Sequence, residues 1–125
     1  MTPAAPLIST LENYLRLTTA REEIISTNMA NIDTPGYHTH DINFQSELSK
    51  AVSSAGYESA YGAELPQIHP VVQDVSGLIE RADGNNVSLE REGILLSETQ
   101  LQYQVGVQLL KDQFHQIITA IGSAS

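Results

Sequence analysis

At both ends of the chain apolar residues recur in alternating steps of three and four, and nothing between them keeps that rhythm. Near the N-terminus the line is Ile8, Leu11, Leu15, Thr18, Glu22, Ile25, Met29 and Ile32, widened on one side by Leu7, Tyr14, Leu17 and Ile24. Near the C-terminus it is Leu89, Gly93, Leu96, Gln100, Tyr103, Val107, Leu110, Phe114, Ile117 and Ile121. Such spacing is the stripe of an α-helix with a coiled-coil-like seam. It predicts helices over 7–32 and 88–121. The second would run roughly 50 Å at 1.5 Å per residue. Pro3 and Pro6 precede the first helix, where proline is tolerated. Asp33-Thr34-Pro35-Gly36 stops it, because proline breaks the ladder and glycine permits the turn. Ser88 is the expected N-cap of the second helix, with Glu90 and Glu92 favouring its dipole and Gly122 placed to end it.

Residues 33–87 read as an irregular middle. Ser53 to Gly62, rich in Ala, Ser, Gly and Tyr, reads as flexible loop. Gln67 to Val75 and Leu78 to Arg81 read as short strands, with Pro66 and Pro70 confining the first to an edge. Asp83-Gly84-Asn85-Asn86 is a turn signal, since Gly and Asn accept positive φ cheaply. The expected fold class is therefore mainly α. Long N- and C-terminal helices form a coiled-coil-like pair, antiparallel or otherwise, and the middle insertion holds little β structure. The 125 residues form a single unit (1–125).

Composition narrows what such a chain can do. It has no cysteine, which removes disulfides, thiolate metal sites and a cysteine nucleophile together. Its net charge of -9 is uneven: residues 1–29 sum to -1, 30–86 to -6 and 87–125 to -2. Near-neutral ends suit packing against copies or partners, and an acidic middle suits a solvated surface. Six basic residues scattered along an acidic chain make no positive patch, so no nucleic-acid partner is expected. No run approaches the roughly 18 apolar residues of a membrane helix. Met1 to Pro6 lacks the basic and apolar regions of a cleavable secretory signal.

The polar interruptions Thr18, Glu22, Gly93 and Gln100 are either ordinary surface positions or subunit-facing residues that fix register. Core packing against the first helix is the expected role of Tyr103, Val107, Leu110, Phe114, Ile117 and Ile121. The outer flank, Leu101, Val105, Leu109 and Ile118, would meet neighbours. Asn28, Asn31, Asp33 and Thr34 suit the closing of a helix through local side-chain bonds, and their functional reading is that they also set the angle at which the chain leaves it. His38-x-His40-Asp41 invites a metal reading, but His69 and His115 belong to unrelated segments and the ligand count falls short. No serine elbow, poised carboxylate pair or phosphate loop occurs. No catalytic, cofactor or small-molecule site is expected.

The first helix ends in Asn28-Met29-Ala30-Asn31-Ile32-Asp33-Thr34-Pro35-Gly36-Tyr37. This resembles the signature of the bacterial flagellar rod and hook axial proteins. His40-Asp41-Ile42-Asn43-Phe44 and Asp83-Gly84-Asn85-Asn86-Val87, followed by Ser88-Leu89-Glu90-Arg91-Glu92, narrow the resemblance to the proximal rod. Leu101-Gln102-Tyr103-Gln104 agrees. The resemblance covers both ends and is silent on Ser46 to Arg81. Ser88 stands where family members commonly carry an acid, and His38 and His40 replace other polar residues. The resemblance implies a structural subunit with no cofactor, polymerising through its end helices into the torque-transmitting drive shaft and export-channel wall. Its implied partners are copies of itself, other rod proteins, the membrane-ring junction protein and the type III export apparatus. The implied location is the periplasm-spanning rod of the basal body, reached without a cleaved signal. The alternatives are a sister proximal rod protein and a cytoplasmic helical-hairpin export chaperone or adaptor.

Overall fold

The computed structural model describes residues 4–61 and 69–124. Three helices and one small sheet follow in the order α1 (Ala4–Ala30), β1 (His40–Ile42), α2 (Phe44–Tyr61), β2 (Val72–Asp74) and α3 (Leu89–Ala124). The fold is mainly α. Helix α1 begins earlier than expected, with Pro6 inside its first turn, where the missing N–H would have had no partner. It stops at Ala30, two residues short of Ile32, as the ladder tightens: Asn31 N–H reaches Thr27 and Asn28 carbonyls, and Ile32 N–H reaches Met29 O at 3.3 Å. Helix α3 runs through Gly122 to Ala124, so this glycine does not end it.

Helix α2 is the main departure from an irregular middle. Asn43 caps it, its Oδ1 accepting the Ser46 N–H at 3.0 Å. Phe44, Leu48, Ala51 and Val52 then supply a helical apolar spacing. The expected loop Ser53–Gly62 is helix as far as Tyr61, and Gly62 lies outside the described residues. So do Pro66, Gln67 and Ile68 at the start of the expected strand. The strand itself is the shorter β2, antiparallel to β1 with His40 opposite Asp74 and Ile42 opposite Val72. Leu78 to Arg81 forms no strand. Glu47, almost fully buried, accepts the Val71 N–H at 3.3 Å and so ties α2 to the approach of β2.

Helices α1 and α3 pack antiparallel: Asn28 meets Glu92, while Gly106 lies against Tyr14 and Leu15. The buried line on α1 is Leu11, Thr18 and Ile25, at steps of seven, with Leu17 beside it. This keeps most of the expected seam, although Ile8 and Leu15 are only half-buried. The buried line on α3 is Glu92, Thr99 and Gly106, also at steps of seven. The expected α3 seam is therefore off by about one residue. Tyr103, Phe114 and Ile121 are 41%, 48% and 66% exposed, while Val107, Leu110 and Ile117 are half-buried. The physical reason is close approach. A Cβ on Gly106 would lie 2.8 Å from Leu15 Cδ2 and 2.9 Å from Tyr14 Cδ1, so the helices meet along the small residues of α3. Thr18 and Thr99 satisfy their buried hydroxyls on their own helices, donating to Leu15 O and Leu95 O at 2.7 Å each. The apolar core, with Leu11, Leu17, Ile25, Ile42, Ala51 and Val87, sits where α1, α2, β1 and the start of α3 converge. Burying Leu17 alone contributes about 2 kcal/mol. Tyr14 and Phe44 meet edge to face with centroids 5.6 Å apart and seal α1 against α2.

The close approach makes two glycines of α3 behave oppositely. Gly106→Leu should cost about 1–3 kcal/mol by overpacking. Gly93→Ala, with nothing near the added carbon, should stabilise by about 0.5–1 kcal/mol. Urea unfolding followed by far-UV circular dichroism checks both; a Gly106→Leu chain as stable as the parent would remove the contact from the account.

Candidate functional site: two signature turns interlock

The exit of α1 is built by a tight turn. Tyr37 N–H bonds Thr34 O at 3.2 Å around Pro35 and Gly36 (φ 74°), the type II pattern with proline at the second position and glycine at the third. Thr34 is itself anchored, its hydroxyl donating to Asn31 Oδ1 at 3.0 Å and its N–H to Asn31 O at 3.0 Å. Asn31 Nδ2 returns to Thr27 O at 2.8 Å and closes the last helical turn. Ala30, Asp33 and Pro35 are exposed, and Asp33 makes no hydrogen bond among the described residues.

The approach to α3 is built by a second turn. Gly84 (φ 85°) donates to Arg81 O at 2.9 Å, and Arg81 N–H donates to Asn85 O at 2.8 Å. Asn85 N–H bonds Asp83 Oδ1 at 3.0 Å, and Asn85 Oδ1 accepts the Val87 N–H at 2.8 Å. These local bonds aim Val87 into the core and bring Ser88 to the helix cap, where its Oγ accepts the Arg91 N–H at 3.2 Å.

The structure brings these two motifs together, although roughly fifty residues separate them. Gly36 N–H donates to Asp83 O at 2.8 Å. A Cβ on Gly84 would lie 3.3 Å from Gly36 Cα, so glycine is required there by both its dihedral and its neighbour. Fully buried Asn85 donates through Nδ2 to Asn31 O at 2.9 Å and Thr34 O at 2.8 Å. Asn86 Oδ1 accepts the Thr39 N–H at 2.7 Å and the Thr39 hydroxyl at 2.9 Å. Arg81 reaches across to Val87 O at 3.1 Å and to Ile32 O.

Asn28 joins a third element. It is fully buried and uses its whole carboxamide: Nδ2 donates to His40 O at 2.8 Å and Glu92 Oε2 at 3.1 Å, and Oδ1 accepts from Tyr37 OH at 3.0 Å and His40 N–H at 3.1 Å. Burial and the charge of Glu92 raise the Tyr37 pKa, which keeps its hydroxyl a donor. Buried Glu92 is also bonded by Arg91 at 2.7 Å. Asp41 receives Arg21 through paired bonds of 3.1 Å, and Arg91 at 3.4 Å. Arg21, Arg91, Asp41 and Glu92 form a charge-balanced quartet, two basic with two acidic side chains, which offsets the cost of burying a carboxyl group. The residues missed at the sequence level are Arg21, Asp41, Arg91 and Glu92 in this role, because spacing along the chain carries no sign of their meeting. His38 and His40 serve separate carboxylates, Glu80 at 3.5 Å and Asp74 at 3.1 Å.

The arrangement positions chain segments. It ties the end of α1 to the start of α3. Asn85→Ala would strand the N–H of Val87 and leave the carbonyls of Asn31 and Thr34 with one donor each, and should cost about 2–4 kcal/mol. Gly84→Ala should cost about 1–2 kcal/mol from its positive φ alone. Denaturant midpoints measure both, and changes under 0.5 kcal/mol would contradict the interlock.

No family model matches the chain. Among curated proteins, the flagellar basal body rod protein FlgB of Salmonella typhimurium is 37% identical over 115 residues, covering 82% of this chain and 83% of its own. FlgB of Yersinia ruckeri is 32% identical over 123 residues, covering 88% and 89%. FlgB of Escherichia coli is 30% identical over 126 residues, covering 91% of both. Identity at this level across nearly the whole length of both chains goes with the paired end helices and the two signature turns: the chain belongs to the flagellar basal body rod protein FlgB family.

Proposed function

We propose that this chain is a structural subunit of the flagellar rod that assembles with copies of itself and with other rod components through its end helices. The observation that supports this most is the outward face of α3. Ile94, Leu101, Val105 and Leu109 are 64%, 61%, 49% and 48% exposed and follow one side of the helix, from nearly opposite the line that meets α1 at Ile94 and Leu101 to about a sixth of a turn from it at Leu109. A monomeric protein rarely leaves so long an apolar stripe in water. Beyond it, Phe114, Ile118 and Ile121 remain 48–66% exposed. With Gly106 level with Tyr14 and Leu15, the start of α1 is level with roughly residue 116, so Ile118 and Ile121 project past it.

The finer reading carries over from the family resemblance. The chain sits in the proximal rod, lines the export channel with its helices, abuts the membrane-ring junction and transmits torque. Passage through the flagellar export apparatus without a cleaved signal supplies the route. The polar interlock fits that duty, because a shaft under torsion needs each chain to leave its inner helix at a fixed angle. The residues Asn28, Asn31, Thr34, Gly36, Tyr37 and Asp83 to Val87 are the ones proposed to set it.

The stripe gives the decisive variant. Leu101→Glu with Val105→Glu should leave monomer stability within about 0.5 kcal/mol, because both side chains are exposed. The same variant should abolish swimming and remove the protein from purified basal bodies. Wild-type swimming, or recovery of the parent chain only in cytosol, would overturn the reading.

A further inference from the structure

The two flanks of the α1–α3 pair carry different chemistry. Beside the buried line of Glu92, Thr99 and Gly106, the residues Arg91, Glu98 and Val105 follow at the same steps of seven, about a quarter-turn to one side. Ile94 lies further out on that side and is 64% exposed. Tyr103 lies on the other side of the line. There it closes a groove of about 300 Å³ with Leu15, Arg16, Thr19, Ala20 and Glu23 of α1. Ala20, the smallest of these side chains, leaves room in the groove, while Arg16 and Glu23 stand exposed along it. Neither Arg16 nor Glu98 has an ion-pair partner among the described residues, although both are exposed.

We propose, on the reading of the chain as a self-assembling rod subunit, that the α1 groove of one copy receives the Arg91–Ile94–Glu98 flank of α3 from a second copy. The spacings match. Along α1 the groove presents a cation, a small residue and an anion at Arg16, Ala20 and Glu23, at steps of four and three. Followed in the reverse direction, the α3 flank presents an anion, a large apolar residue and a cation at Glu98, Ile94 and Arg91, again at steps of four and three. One antiparallel register therefore sets Glu98 by Arg16, Ile94 over Ala20 and Arg91 by Glu23, matching charge and volume together. A parallel approach centred on Ile94 and Ala20 sets Glu23 against Ser97 and loses one charge match. The antiparallel direction needs no inversion of the second copy, because α1 and α3 already run antiparallel within each chain. Arg91 also serves Glu92 at 2.7 Å and Asp41 at 3.4 Å, so Arg16–Glu98 supplies most of the attraction. Groove and flank lie on opposite sides of the same subunit, which makes the contact heterologous. Joining two copies leaves one groove and one flank open for the next, so repetition builds a ring or a helical filament rather than a closed dimer.

The chain has no cysteine, so the contact can be trapped directly. Ala20→Cys and Ile94→Cys are placed in one full-length chain, and purified basal bodies are oxidised. Within a chain the two positions lie on different helices and on opposite sides of the pair, beyond the roughly 7 Å between Cα atoms that a disulfide tolerates. Oxidation should give a ladder of dimers and larger species on denaturing gels, and each single-cysteine chain should stay monomeric. In parallel, Arg16→Glu or Glu98→Arg alone should lower incorporation into basal bodies about ten-fold or more. The two charge reversals together should recover most of it. Both positions are exposed, so circular dichroism of each variant should match the parent. Dimers from Ala20→Cys alone would set like against like and overturn the contact. Cross-links only to some other protein would overturn it too. A parent chain found in basal bodies with neither ladder nor charge rescue removes the contact and leaves the rod reading standing. A parent chain absent from them removes both.

Discussion

Everything else in the molecule depends on two buried carboxamides. Asn28 and Asn85 have both donor and acceptor ends occupied within the fold, and between them they tie the end of α1, the exit turn, β1, Val87 and the buried Glu92 of α3 into one junction. An amide left unpaired inside a protein costs as much as a small helix gains from its apolar face, so the junction exists complete or hardly at all. That all-or-none character gives the chain a defined geometry at a place where the apolar core is thin.

The thinness has a purpose in a subunit made to be surrounded. Along α3 the buried positions are Glu92, Thr99 and Gly106, while Leu95, Leu96, Val107, Leu110 and Ile117 are half-buried and Ile94, Leu101, Val105, Leu109 and Ile118 face outward. A self-contained helical hairpin would place them the other way round. Intramolecular packing here relies on closeness, through Gly106 against Leu15 and Tyr14, and on satisfied polar groups. On the proposed function, the exposed apolar area would serve contacts between chains, where the entropy of association must be offset by burial.

This division explains which parts were legible in the sequence. The two end helices and the Pro35-Gly36 stop are local features, and their period and dihedral demands appear directly in the residues. The α3 seam was misread by about one position because an apolar pattern does not say which partner it is for: Phe114 and Ile121 look like core and are surface. The only sign of the true line was a glycine, Gly106, whose meaning needs the facing helix. Helix α2 was hidden by its Ser, Ala and Gly content, although Asn43 before Phe44, Leu48 and Ala51 carried a start signal. The turn motifs were each visible, yet their meeting was not, since the bonds from Asn85 to Asn31 and Thr34 span more than fifty residues.

The central claim is that the end of α1 and the start of α3 are coupled through side chains rather than merely adjacent. A double-mutant cycle on Asn28→Ala and Glu92→Ala, read by denaturant unfolding, measures that coupling directly. The account predicts single changes of about 2–4 kcal/mol each and an interaction energy of about 1–2 kcal/mol, because the second deletion removes a partner the first has already orphaned. Additive losses, with an interaction energy under about 0.3 kcal/mol, would mean that the junction is a set of independent contacts and would contradict it.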